Sequence, residues 1–217
     1  MSYPSGDVRD QLAHVGSEAV RAGLVVGSGG NLSAREPGSD RCWVTAAGTW
    51  LDRLERPEFS LLRISDGAVI GGHPEPSSEW RLHTATYRVR PDTNAIIHLH
   101  PQACVLLAAL GEQIALITTD HAFYLRGVVV RPFRQPNTEA LAADAAAAVA
   151  GGANAVVLGH HGCSVLAEDV ELAHKRAFNL EEAARATVLA LLVTGGRERM
   201  PRCPPEFLAA VAASSVI

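Results

Sequence analysis

The chain has 217 residues, 47% of them hydrophobic and 19% charged, with a net charge of −4. That length predicts a single domain over residues 1–217 with ample material for a core, and the mildly acidic balance argues against nucleic-acid or anionic-membrane partners. No leader pattern or apolar run of membrane length is present, and Cys42, Cys104, Cys163 and Cys203 form no C-x-x-C, so reduced thiols and a cytoplasmic location are expected.

The first periodic segment runs from about Asp7 to Val26, with Val8, Leu12, Val15 and Ala19 at helical spacing. It ends at "GSGGN", Gly27 to Asn31, where glycines permit a tight path. "LSAR" and "CWVTA" predict a short strand pair, and "LLRISDGAVI" predicts a hairpin turning at Asp66-Gly67. "PSSEWRLHTATYRVRPD" predicts a helix entered through Pro76 and Ser77 and stopped by Pro91. "NAIIHLH" is a strand, followed by a helix from about Pro101 to Leu110. "IALITT" and "VVVRPF" read as strands, "NTEALAADAAAAVAGG" as a helix with a Gly-Gly stop, and "AVVLG" as a buried strand leading into "HHGCSVLA". A long helix from about Asp169 to Val193 precedes a short proline-bounded one. Irregular alternation with hairpins beside crossovers predicts a mixed sheet covered by helices.

Histidines then stand out. His98 and His100 are two apart on a strand and so share a face, where they read either as exposed strand-end residues or as two ligands of one metal. In "VVLGHHGC" another apolar strand ends and imidazoles, His160 and His161, follow at once. Three neutral imidazoles suit a zinc-like ion with an open fourth position, the pattern of a catalytic site. His14, His83 and His174 fall within helices and His73 in a loop, where packing or surface roles are expected; His121 is left undecided. Ser77, Ser78 and Glu79 stand at a helix start, either as a cap with an acidic first turn or as an anion cradle fit for phosphate. "GSGGN" offers a second such loop.

"GSGGNLSAR", "VTAAG", "PSSEWRLH", "NAIIHLHP" and "LGHHGCSVLAED" fall in the order and spacing of the class II aldolase/adducin family, and the chain resembles its L-fuculose-1-phosphate aldolases over roughly Val8 to Thr194. The resemblance implies a three-layer α/β/α sandwich around a mainly antiparallel mixed sheet. It implies a homotetramer with active sites between subunits. His98, His100 and His161 correspond to the zinc ligands, manganese or cobalt being other candidate ions. Glu79 corresponds to the acid/base that also touches the metal when no substrate is bound. Ser28, Asn31, Gly48, Ser77 and Ser78 correspond to the phosphate-binding positions. The reaction implied is reversible cleavage of a ketose 1-phosphate, a phosphorylated sugar, to dihydroxyacetone phosphate and an aldehyde through a metal-stabilised enediolate. Glu79 can move the proton provided burial raises its pKa, and the single lysine, Lys175, makes an imine route improbable.

The match fails in one segment. Gapless alignment of "ITTDHAFYLRGVVVRPF" puts Thr118 where the aldolases carry a catalytic tyrosine, and Ala122 where the related epimerases carry an acid. His121, whose imidazole titrates near neutrality, is the first candidate for a replacement acid and Tyr124 the second; packing at a subunit interface is the alternative for both. An epimerase, dehydratase or decarboxylase using the same site is therefore a competing expectation. A non-enzymatic adducin-like interaction module is a third, opposed by the complete ligand set.

Overall fold

The alternation read from the sequence becomes, in a computed structural model describing residues 3–213, one eight-stranded sheet in the order β4-β3-β2-β1-β5-β8-β7-β6. The strands are β1 Asn31–Ala34, β2 Arg41–Thr45, β3 Phe59–Arg63, β4 Val69–Gly72, β5 Ala95–Leu99, β6 Val128–Arg131, β7 Ala155–Leu158 and β8 Gly162–Ala167. Only β6 and β7 run parallel; every other neighbouring pair is antiparallel. The helices are α1 Val8–Arg21, α2 Trp80–Val89, α3 Gln102–Ala109, α4 Thr119–Leu125, α5 Glu139–Val149, α6 Val170–Thr194 and α7 Pro205–Ala213.

Local chemistry sets the main boundaries. Asp7 caps α1 by accepting from Arg9 N at 3.0 Å, Thr138 caps α5 through Leu141 N at 3.2 Å, and Asp169 caps α6 through Leu172 N at 2.7 Å. Gly195, left-handed at φ 72°, closes α6. Strand alternation then sorts the residues into layers. Ala95, Ile97 and Leu99 of β5 pack with Leu12, Val15, Leu107 and Leu180 from α1, α3 and α6. Ile96 belongs to the opposite core, with Leu82 and Tyr87 of α2 and Leu141 and Val149 of α5. His98, two residues on, shares the face of Ile96 and so looks toward the α2 layer. The result is the expected α/β/α sandwich.

Three expectations shift. The first helix stops at Arg21, and α2 starts at Trp80 with Glu79 as its N-cap residue. "IALITT" is not a strand: the segment runs beside α6, where Ala115 N donates to Thr187 Oγ1 at 2.9 Å and Leu116 O accepts from Cys203 N at 2.8 Å. Side-chain and C-terminal partners thus satisfy backbone groups that a sheet would otherwise have to pair. The residues after it, expected to follow a strand, form α4. All four cysteines are free and buried, and no described helix is long and apolar enough to cross a membrane.

Candidate metal centre

Six segments meet at one end of the sheet. The turn before β1, the residues after β2, the entry to α2, the end of β5, the loop before α5 and the β7–β8 turn line a single cavity of about 430 Å³. The entry to α2 is tied to the sheet by Ser77 N donating to Thr45 O at 2.9 Å and Ala47 N to Glu75 O at 3.0 Å. Gly30 is left-handed at φ 81°, and a Cβ there would lie 2.6 Å from His98 O. Only glycine lets this turn lie against β5.

Three imidazoles converge as the strand ends foretold. The ring centroids of His98, His100 and His161 are 5.0, 5.0 and 5.1 Å apart in pairs. His98 Nε2 lies 3.1 Å from His100 Nε2 and 3.2 Å from Glu79 Oε2, and His161 Nε2 lies 3.2 Å from Glu79 Oε1. His98 Nδ1 and Ser164 Oγ are 3.0 Å apart. This places a hydroxyl behind the ring, the usual way a ligating imidazole is oriented. Gly162 lets His100 approach, since a Cβ there would meet His100 Cδ2 at 2.5 Å. In the β7–β8 turn His160 takes the left-handed backbone, φ 58°. That conformation costs a non-glycine residue roughly 1–2 kcal/mol; it sends the His160 ring toward Phe133 and leaves His161 for the cavity.

One donor atom from each of Glu79, His98, His100 and His161 lies within 4.8 Å of all the others. Glu79 Oε1 and His161 Nδ1 are buried without a hydrogen bond. Three imidazoles beside a carboxylate with an unpaired buried oxygen are a donor set that fits a divalent ion of zinc type. Burial alone would raise the Glu79 carboxyl, but the attraction of the His161 and His98 imidazoles, each 3.2 Å from one of its oxygens, outweighs it and holds the group well below the ordinary carboxylate range. The raised pKa expected from enclosure is thus reversed by the imidazoles facing it. Burial, with repulsion from His98 and His161, pushes His100 down to about 4.

Ser28, Asn31, Gly48, Ser77 and Ser78 all line this cavity together with Glu79, His100 and His161. Thr49, Pro136 and Asn137 line it too, without any local pattern that marks them; Asn137, at φ 66°, is another non-glycine residue in the left-handed region. His121 and Tyr124 are not brought to the cavity of their own chain. His121 belongs to a capping box on α4: Thr118 Oγ1 accepts from His121 N at 3.1 Å, and His121 Nδ1 accepts from Ile117 N and Thr118 N at 3.3 and 3.4 Å. Its Nε2 lies 3.7 Å from Glu182, and the residue is 1% exposed. Tyr124 is half-buried on α4, its ring edge-on to Phe123.

The family profile described as Class II Aldolase and Adducin N-terminal domain matches residues 10–188. The chain is 34% identical to the L-fuculose phosphate aldolase of Methanocaldococcus jannaschii, over 78% of this chain and 89% of that one. It is 32% identical to the 5-deoxy-D-ribulose 1-phosphate aldolase of Bacillus thuringiensis serovar kurstaki over 82% of each. It is 29% identical to the 3-oxo-tetronate 4-phosphate decarboxylase of Haemophilus influenzae over 82% and 85%. A solved L-fuculose 1-phosphate aldolase superposes with a TM-score of 0.85 at 29% identity, over 97% of this chain and 96% of that one.

Proposed function

The chain belongs to the class II aldolase and adducin family, and on that premise we propose that it is a divalent-metal aldolase cleaving a ketose 1-phosphate, of the L-fuculose 1-phosphate kind, to dihydroxyacetone phosphate and an aldehyde. The observation that supports this reading is the sharing of one cavity by a four-donor cluster and a cradle of hydroxyl and amide groups. A divalent ion, zinc in the first instance, bound by His98, His100 and His161 would supply Lewis acidity at the substrate carbonyl and acidify the neighbouring C–H.

The remaining steps fall to the chain's own groups. Ser28, Asn31, Gly48, Ser77 and Ser78 hold the phosphate; among the described residues no lysine or arginine lines the cavity, so neutral donors carry the anion. Asn31 Nδ2 donates to Glu79 Oε2 at 3.0 Å, which leaves Oε1 as the oxygen that takes and returns the proton. Lys175 pairs with Glu171 at 2.7 Å on α6 and lines no part of this cavity, so no imine forms there. The leaving oxygen needs an acid that the same chain does not bring to the cavity. We assign it to α4 of a neighbouring copy in a homotetramer, and to Tyr124 ahead of His121, whose Nδ1 is occupied and whose ring is enclosed.

Dihydroxyacetone phosphate in deuterated water tests the half-reaction without any choice of aldehyde. Zinc-loaded protein should exchange one carbon-bound proton, read by NMR, and Glu79→Gln should not; no exchange with stoichiometric metal bound would sink the aldolase reading. One observation favours a second reading: Thr118, where the aldolases carry their tyrosine, offers only an aliphatic hydroxyl, fixed at the N-cap of α4 by accepting from His121 N. A decarboxylase such as the Haemophilus relative is named for, or an epimerase, would then release carbon dioxide or an epimeric sugar phosphate in place of an aldehyde.

A further inference from the structure

Behind Glu79 and Asn31 runs a buried line of polar groups, His83, Ser33 and Tyr87, that the reaction above does not use. Tyr87 OH lies 2.9 Å from Ser33 Oγ, Ser33 Oγ 2.7 Å from His83 Nδ1, His83 Nε2 2.6 Å from Asn31 Oδ1, and Asn31 Nδ2 3.0 Å from Glu79 Oε2. Tyr87 is 1% exposed, Ser33 and His83 0%, Asn31 4% and Glu79 7%, so water cannot substitute for any link. The line is built from two periodicities. Glu79, His83 and Tyr87 are four apart on one face of α2, and Asn31 and Ser33 are two apart on one face of β1.

The hydrogens can be arranged in only one way. Glu79 Oε2 is an acceptor, so Asn31 must present its N–H₂ there; the flipped amide would set two oxygens against each other. Asn31 Oδ1 then faces His83 Nε2 and can only accept, which places the imidazole proton on Nε2. Nδ1 of a neutral ring accepts from Ser33, and Ser33, its one hydrogen spent, accepts from Tyr87. An imidazolium here would be a buried cation touching no carboxylate, and burial, with repulsion from His98, pushes His83 down to about 3. Every donor thus points toward Glu79, and hydrogen bonds aligned in one sense polarise one another.

We infer that His83 is a positioning residue: a neutral, Nε2-protonated imidazole that locks the Asn31 carboxamide and through it holds Glu79 Oε2, leaving Oε1 turned to the cavity. Asn31 then has one N–H left for the phosphate, not two. The tautomer and the locked amide stand on the hydrogen-bond geometry and the burial of the ring; the kinetic consequence rests on Glu79 being the proton carrier.

The test has two arms. Long-range 1H–15N correlation on ¹⁵N-histidine-labelled full-length protein, with His83 assigned by its loss in His83→Gln, should show a neutral ring protonated at Nε2 near neutral pH, both metal-free and zinc-loaded. A ring protonated at Nδ1, or at both nitrogens, overturns the inference. In the second arm, His83→Gln keeps a donor near the Nε2 position, whereas His83→Asn reaches only the Nδ1 position. With zinc content matched, His83→Asn should lower kcat for deuterium exchange into dihydroxyacetone phosphate by about 10–100-fold with KM little changed, and His83→Gln should restore most of it. Equal losses in the two variants mean a merely structural histidine and refute the positioning role. Wild-type protein with the Nε2-protonated ring but no exchange strikes the proposed reaction and supports the network.

Discussion

Buried polar side chains gather at both ends of the sheet and are put to different uses. At the end away from the cavity, Arg90 spends its guanidinium on Asp92, Asn154 and the carbonyls of Val149 and Ala153. Arg35 likewise holds the carbonyls of Thr93, Arg90 and Pro91, and Arg176 those of Tyr124 and Leu166. These arginines close strand and helix ends that would otherwise leave acceptors unpaired. At the cavity end the polar groups are as well buried, yet Glu79 Oε1 and His161 Nδ1 lack partners and His160 sits in a strained backbone region. Thr93 Oγ1 and Asn94 Oδ1 at the far end are unpaired as well; what marks the cavity end is a four-donor cluster set in a shaped cavity, where a ligand is the ordinary explanation.

Paired variants can break this contrast most directly. Glu79→Gln should lower deuterium exchange into dihydroxyacetone phosphate by roughly 10²–10⁴-fold, with the protein still folded and metal still bound by three imidazoles. Arg90→Ala should do the reverse: a stability loss of about 1–3 kcal/mol for each buried acceptor it strands at Val149, Ala153 and Asn154, with activity per folded molecule unchanged. Denaturant unfolding and exchange rates measured on both proteins decide it; a large stability loss from Glu79→Gln would place that residue with the arginines.

Metal removal sharpens the same contrast. An ion that binds the folded chain alone stabilises it by about 2.7 kcal/mol at 100 times Kd. Zinc should therefore raise the Tm of stripped wild-type protein. It should raise that of Arg90→Ala by a similar increment and leave His161→Ala unmoved. An equal rise in His161→Ala would mean that the ion binds elsewhere.

The cavity end was more legible in the sequence than parts of the scaffold. His98 and His100 stand at the end of one apolar strand and His160 and His161 follow another, so pattern allowed the rings to meet; that His161 and not His160 joins them was legible only through the family resemblance. Glu79 and the serines beside it sit at a helix entry that proline and serine mark clearly. By contrast α4 was hidden: seven residues long, it follows the β-branched "ITT" and is capped by a Thr118–His121 pair in place of the usual serine-to-glutamate box. His83 was read as ordinary helix packing because one imidazole in an amphipathic helix carries no signal. The four-residue spacing of Glu79, His83 and Tyr87 was the clue, and it acquires meaning only once β1 supplies Asn31 and Ser33. Pro136 and Asn137 reach the cavity from a loop whose path no local pattern fixes.

The smallest effect expected concerns acid. Hydrogen bonding to Arg90, opposed by partial burial, lowers the Asp92 carboxyl in the folded chain. A depressed folded value means that the unfolded chain takes up the proton first. The pair's contribution is therefore complete above the unfolded value, about 3.9, and is lost as pH falls through that value toward the folded one. The Asp92 side chain is 55% exposed against 9% for Arg90, so solvent screens the attraction and keeps its worth at about 1 kcal/mol or less. The Tm of Asp92→Asn should lie slightly below wild type near neutrality, and the two curves should converge below about pH 4. Convergence well above that point would mean that another group sets the acid limb. A large deficit at neutral pH would show that Arg90 depends on Asp92 far more than on its carbonyl partners, and the far end of the sheet would then be less self-sufficient than its hydrogen bonds imply.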